Sequence, residues 1–281
     1  MTDAPDTHFR SAMNLLKGWN AFSAEWKEVR HESSERAVHD CRVAARRLIA
    51  ELEIVAALTR TGKHRDTVRK LRKTLKRLGP LRDIQVHMRR ALLVHSHLTK
   101  QFSQFLKQRE KEEIRRVRKW VLEKSRKAIR RGVWSSNKRL QAVLEGTSRP
   151  VPGALAAEHI RNKLDAVERA YAAFKRTPSP EEFHRMRVRF KRFRYAAEAA
   201  KPVSEIFTER QFDRMRKLQK DMGNINDLQT YMASLGEWSG KPVPAALQKE
   251  LDALLKAFTI KPRPFEEFTF SKRTRVRPAK A

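Results

Sequence analysis

The sequence predicts an all-α protein built as two related antiparallel helical bundles of about four helices each. Three observations carry this expectation. Apolar residues recur at helical spacing almost throughout, and the strict alternation of a half-buried strand is nearly absent. One stretch occurs twice, as His39-Asp40-Cys41-Arg42-Val43-Ala44-Ala45-Arg46-Arg47 and as His184-Arg185-Met186-Arg187-Val188-Arg189-Phe190-Lys191-Arg192, with the two histidines 145 positions apart (39 to 184). A glycine-centred segment recurs at nearly the same distance, Leu78-Gly79-Pro80-Leu81-Arg82-Asp83 against Met222-Gly223-Asn224-Ile225-Asn226-Asp227. A period this long is too large for a solenoid and indicates duplication of a helical unit. Units of this length suit four-helix bundles.

Taken in order, residues 7–30 form the first expected helix, with Phe9, Met13, Leu16, Phe22, Trp26 and Val29 on its apolar side. Ser33-Ser34 offers an N-cap and Glu35 favours the first turn of the next helix, about 34–60. That helix stops near Gly62. The segment 64–79 carries two stripes, apolar Val68, Leu71, Leu75 and Leu78 beside basic Arg65, Arg69, Arg72 and Lys76. Gly79-Pro80 ends it, and Leu81-Arg82-Asp83 opens another helix. Residues 100–145 read as a long helix bent near Gly132, strongly basic over 109–131, and 146–153 reads as a linker.

The second unit restarts with a helix at about 154–176. Ser179 caps the next, which begins at Pro180 and runs to about Ala200. A helix over about 205–222 ends at Gly223-Asn224, another reaches about 235, and the last spans about 244–259. The resulting organisation is one domain over 6–260, made of units 6–145 and 154–260. A basic, proline-containing tail follows at 261–281 and is expected to be poorly ordered.

The chain holds 63 Lys or Arg against 32 Asp or Glu, a formal net charge of +31. Such an imbalance bears on partners rather than on fold and points to a polyanion: nucleic acid, an anionic surface or a phosphate polymer. The single cysteine, Cys41, precludes an intrachain disulfide and fits a reducing compartment. Neither a signal peptide nor a bilayer-length apolar run is evident, so a soluble cytoplasmic protein is expected. Oligomeric state is left open.

On a helix, positions i, i+3 and i+7 fall within an arc of roughly 60°. His39, Arg42 and Arg46 therefore share one face, as do His184, Arg187 and Lys191. Arg69, Arg72 and Lys76 extend the first set, and Arg194, Arg216 and Lys220 the second. Arginine grips phosphate oxygens bidentately and lysine acts as a mobile point charge. Each histidine could contact phosphate, brace the structure or ligate a metal, but neither copy has a second ligand at i+4. The recurring carboxylates are Asp83 with Asp227 and Glu53 with Glu198. Their simplest role is to hold basic side chains by salt bridges. No phosphate-binding glycine loop, dinucleotide fingerprint or strand framework is present, so the reading is of a binding protein without catalytic residues, metal or cofactor.

The motifs resemble those of the CHAD family, the conserved histidine α-helical domain. The resemblance rests on His39-x-x-Arg42-Val43-x-x-Arg46-Arg47 and Gly79-x-x-Arg82-Asp83 in the first half. In the second it rests on His184-x-x-Arg187-x-x-x-Lys191-Arg192-x-Arg194-Tyr195-x-x-Glu198 and Leu218-Gln219-x-x-Met222-Gly223-x-x-Asn226-Asp227. It spans about residues 6–260. It implies two pseudo-symmetric bundles around a strongly basic central cavity, with inorganic polyphosphate as ligand; targeting to polyphosphate granules, storage and regulation stay open as the outcome of binding. Arg47, Arg82, Arg192 and Tyr195 join the candidate ligand contacts through these motifs. Ala50 stands where the first half would match Tyr195. The Glu-x-Glu-x-Lys signature of the CYTH triphosphatase domain that some members carry is missing, since Glu51-Leu52-Glu53-Ile54-Val55 lacks the lysine. This sequence therefore resembles a stand-alone member. Two rival readings are a nucleic-acid binder using the 109–131 helix and the tail, and a metal-dependent polyphosphate or phosphate-ester hydrolase.

Overall fold

A computed structural model of the chain describes residues 15–94, 96–124, 126–145, 150–259 and 265–268. Among these residues there is no strand, and the α-helices are α1 Leu15–His31, α2 Glu35–Thr59, α3 Arg65–Arg77, α4 Gly79–Ala91 and α5 His97–Glu123. They continue with α6 Lys127–Glu145, α7 Pro150–Arg176, α8 Pro180–Ala200, α9 Glu209–Ser239 and α10 Ala245–Thr259. The segment before the expected linker holds more and shorter helices than the segment after it, so the two are not matched helix for helix.

Helix α1 buries Leu15, Trp19, Phe22, Trp26 and Val29, a single stripe at spacings of three and four. The stripe packs on α2, and Trp26 meets Trp120 of α5 at 5.2 Å between ring centroids. Positions 7–14 of the expected first helix lie outside the described residues. Ser34 caps α2 as expected, its hydroxyl accepting from the Ala37 N–H. At the other end the left-handed position falls on Arg60 (φ 46°), whose N–H reaches the Ala56 carbonyl, rather than on Gly62.

Several expected boundaries are displaced. The interruption in 100–145 falls between the end of α5 at Glu123 and the start of α6 at Lys127 rather than at Gly132. Gly132 lies inside α6, where a Cβ would stand 1.9 Å from the Thr67 hydroxyl oxygen of α3. The glycine is there for close helix packing, and chain direction is unaffected. Pro150 opens α7, so 150–153 belong to a helix rather than a linker, and 146–149 lie outside the described residues. Proline at a first helical turn forfeits no internal hydrogen bond.

The expected helix end at Gly223-Asn224 is overturned. Helix α9 runs from Glu209 to Ser239 without a break, and buried Leu218, Met222, Ile225 and Leu228 carry one apolar stripe across the glycine. At the other copy, Gly79 is followed by Pro80, and α3 ends at Arg77 while α4 begins at Gly79. A proline cannot donate into the preceding turn, and the second copy has none at that place.

The tail also differs from expectation in part. Phe265 and Phe268 are 2% and 0% exposed, set against Phe190, Phe193 and Tyr171. Residues 260–264 and 269–281 lie outside the described set. Helices α2 and α8, which carry the two His-Arg copies, pack on each other. One continuous apolar core runs from Leu15 to Phe268 around them. Among the described residues, no helix is long and apolar enough to cross a membrane.

Candidate functional site

The facing sides of α2 and α8 form two walls of a cavity of about 610 Å³. On α2, residues 39, 42, 46, 49, 50 and 53 follow one helical stripe, so His39, Arg42, Arg46 and Glu53 all face it. On α8 the corresponding stripe presents His184, Arg187, Lys191, Arg192 and Tyr195. Helix α3 adds Arg72 and Leu75. Helix α4 adds Arg82, Asp83, Val86 and His87, and α9 adds Asn226, Asp227 and Thr230. Seven arginines or lysines thus face three carboxylates, which leaves the lining strongly positive.

The candidate cations divide. Arg42, Arg46, Arg72, Arg82, Arg187, Lys191 and Arg192 line the cavity, together with His39, His184 and Tyr195. Arg47, Arg69, Lys76, Arg194, Arg216 and Lys220 are outside that lining. Arg47, Lys76 and Lys220 are exposed. Arg69 pairs with Asp66 and Arg216 with Asp213, each three residues away on its own helix. Arg69, Arg72 and Lys76 share one side of α3, but of the three only Arg72 reaches the lining. Arg194 lies behind the wall, buried, its guanidinium 4.3 Å from the Tyr195 ring centroid. It donates to Gln219 at 2.7 Å and pairs with Glu198, so it fixes the ring that faces the cavity.

The carboxylates act as holders in three of four places. Glu53 binds Arg72 at 2.9 Å and Lys163 of α7 at 2.8 Å. Asp227 lies 3.9 Å from Arg187, and Glu198 holds Arg194. Asp83 forms no such close pair among the described residues. Burial raises its carboxyl, Arg42 offsets this, and nearby Asp227 adds to the rise.

The two histidines are not equivalent. His184 Nδ1 sits 2.9 Å from the Asn226 side-chain oxygen. At the matching position of the first half stands Arg82, held by Glu35 at 2.8 Å. Burial and then the Arg82 charge push His39 below the usual imidazole range. Sequence reasoning quoted Asn226 only as part of a motif, and it missed His87, Thr230 and Lys163. His87 follows Asp83 by one helical turn, a spacing that placed it on the same face. Lys163 had no such signal, because its helix reaches the site from elsewhere in the chain.

The electrostatics of the lining are strained. Arg42 donates to the Leu75 carbonyl at 2.6 Å and is pushed down to about 10 by burial and by Arg46. Burial also lowers Arg46, Arg187 and Arg192, with the Tyr195 hydroxyl countering this for Arg46 by accepting its hydrogen bond. Lys191 falls to about 6, through burial and the charges of Arg46, Arg187 and Arg42, with Asp227 opposing. The Nε–H of Arg187 is buried without a hydrogen-bond partner. A buried donor left unmatched, beside cations that disfavour each other, is what an anion would relieve.

Fold and cavity together define an all-α domain with a basic internal site. The CHAD domain family model matches residues 15–236, and the chain belongs to that family. It also resembles the crystal structure of the CHAD domain from the plant Ricinus communis, with a TM-score of 0.61. Identity there is 16%, and the match covers 94% of this chain and 90% of that one. No curated protein matches the chain in sequence.

Proposed function

We propose that the chain binds inorganic polyphosphate in the cavity between α2 and α8, without turning it over, in the cytoplasm and in association with polyphosphate granules. The observation that carries this reading is the arrangement of Arg42 and Arg46 opposite Arg187 and Lys191 around one cavity, with cations in clear excess. Polyphosphate has roughly one charge per phosphate and no bases, so it asks for many cations and no stacking platform. Membership of the CHAD family agrees with a ligand of this chemistry. A second hollow of about 490 Å³ shares His184, Val188 and Arg192 with the cavity and adds Arg169, Arg185 and Arg189. It supports a chain-like anion that continues past α8.

The test is competition at fixed salt between long-chain polyphosphate and duplex DNA or RNA, matched for charge. Polyphosphate should prevail. Displacement by nucleic acid at equal charge would transfer the reading to a nucleic-acid binder. Release of orthophosphate with added Mg²⁺ or Mn²⁺ would replace binding by hydrolysis.

A further inference from the structure

We propose that Lys191 is a covalent modification site, acylated by small acyl phosphates while the cavity is empty. The argument begins with its neighbours. Arg187 stands one helical turn before it on α8, and Arg42 and Arg46 stand one turn apart on the facing wall of α2. Arg192 follows it on α8, and Glu53 from α2, Arg72 from α3, Arg82 with Asp83 from α4 and Asp227 from α9 also line the cavity, with His39, His87, His184 and Tyr195. Among the described residues, no carboxylate lies within ion-pair distance of the Lys191 amine. The amine thus sits in a buried, cationic enclosure: burial first, and then Arg46, Arg187 and Arg42, oppose its protonation and push it down to about 6. A lysine desolvated beside other cations is a known form of activated nucleophile.

The same guanidiniums suit the reagent. An acyl phosphate presents a phosphoryl group that Arg42, Arg46 or Arg187 can hold bidentately, leaving its carbonyl near the amine. The amine nitrogen attacks the carbonyl carbon and a C–N bond forms. The bond from that carbon to the phosphate oxygen breaks, and phosphate departs with the bonding pair. The proton lost from nitrogen passes to phosphate or water. The product is a neutral amide, which can no longer become a cation beside a bound anion. Acylation would therefore lower polyanion affinity, by about tenfold or more if one charge-assisted hydrogen bond is lost. A bound polyanion would conversely fill the cavity and favour the ammonium form, protecting the residue.

The protection step rests on the proposed polyanion function, whereas the reactivity of the empty cavity does not. The experiment treats the intact chain with acetyl phosphate at pH 7.5, and in parallel with the neutral donor N-acetoxysuccinimide. Peptide mass analysis follows each lysine in time, and polyphosphate binding is measured separately. Lys76, Lys217 and Lys220 are exposed and serve as the reference lysines. Lys191 should react at least about tenfold faster than these three with acetyl phosphate. Saturating polyphosphate should abolish that lead and leave the three unchanged. Lys191→Arg should remove the fast phase, and Lys220→Arg should not. Equal rates at Lys191 and the exposed lysines, or a lead with the neutral donor alone, would overturn the inference even if polyphosphate binds. A fast Lys191 in a chain that binds no polyphosphate would sustain the inference and overturn the proposed function.

Discussion

Lys163 of α7 donates a 2.8 Å hydrogen bond to Glu53 of α2, tying the second half of the chain to the first beside the cavity. Arg72 reaches the other oxygen of the same carboxylate at 2.9 Å. Burial alone would raise the Glu53 carboxyl, but Lys163 and Arg72 outweigh it and hold it below the ordinary range. A depressed carboxyl contributes stability above its unfolded value, and the contribution is lost as pH falls through the folded one. Glu53→Ala should therefore cost about 1–3 kcal/mol at pH 7. Urea unfolding at pH 7 and pH 3 checks this, with the gap from wild type shrinking in acid.

Lys191 has the opposite linkage. Its folded value lies far below that of an unfolded lysine, so the fold disfavours the proton. The electrostatic penalty is fully present below about pH 6 and disappears as pH rises toward the unfolded value near 10.4. Lys191→Met should raise Tm at pH 6, by an amount that narrows at pH 9, while weakening anion binding. Anion binding to the wild-type chain should take up a proton near neutral pH. Calorimetry in two buffers of different ionisation heat reads that uptake directly.

The division of cations between the cavity and elsewhere gives a paired test. Replacing Arg42, Arg46, Arg187 and Lys191 together by Ala should abolish polyphosphate binding with the helical circular dichroism intact. Replacing Arg69, Arg216 and Lys220 should change affinity by no more than about twofold, since exposed charges are screened. Wild-type affinity should fall linearly on a log–log plot against salt, because each neutralised phosphate releases counterion. Retained binding in the quadruple variant would place the site elsewhere.

Phe268 is fully buried against Phe190 and Phe193 on the back of the helix that carries the second cation row. Removing a buried phenyl ring costs about 3–5 kcal/mol when the space cannot collapse. Phe268→Ala should lower Tm strongly, and ending the chain after Thr259 should do so at least as much, as thermal unfolding will show.

The sequence by itself determined the helical class, the caps at Ser34 and Ser179, and the two cation rows. These are local matters: a repeat of 3.6 residues, a hydroxyl beside free N–H groups, and charges at i, i+3 and i+7. Tertiary structure decided which stripe of each helix faces which neighbour. That placed Arg72 in the cavity lining but left Arg69 and Lys76 outside it, and it put Arg194 behind Tyr195. It also decided that Gly132 and Gly223 would be helical, because packing against Thr67 and a continuous buried stripe outweighed the weak local preference of glycine to break a helix. Lys163 and the two tail phenylalanines could be assigned only in three dimensions, since their partners are far along the chain. The depressed lysine at 191 is of the same kind: its spacing from Arg187 was legible, but the opposing arginines of α2 come from the other half of the molecule.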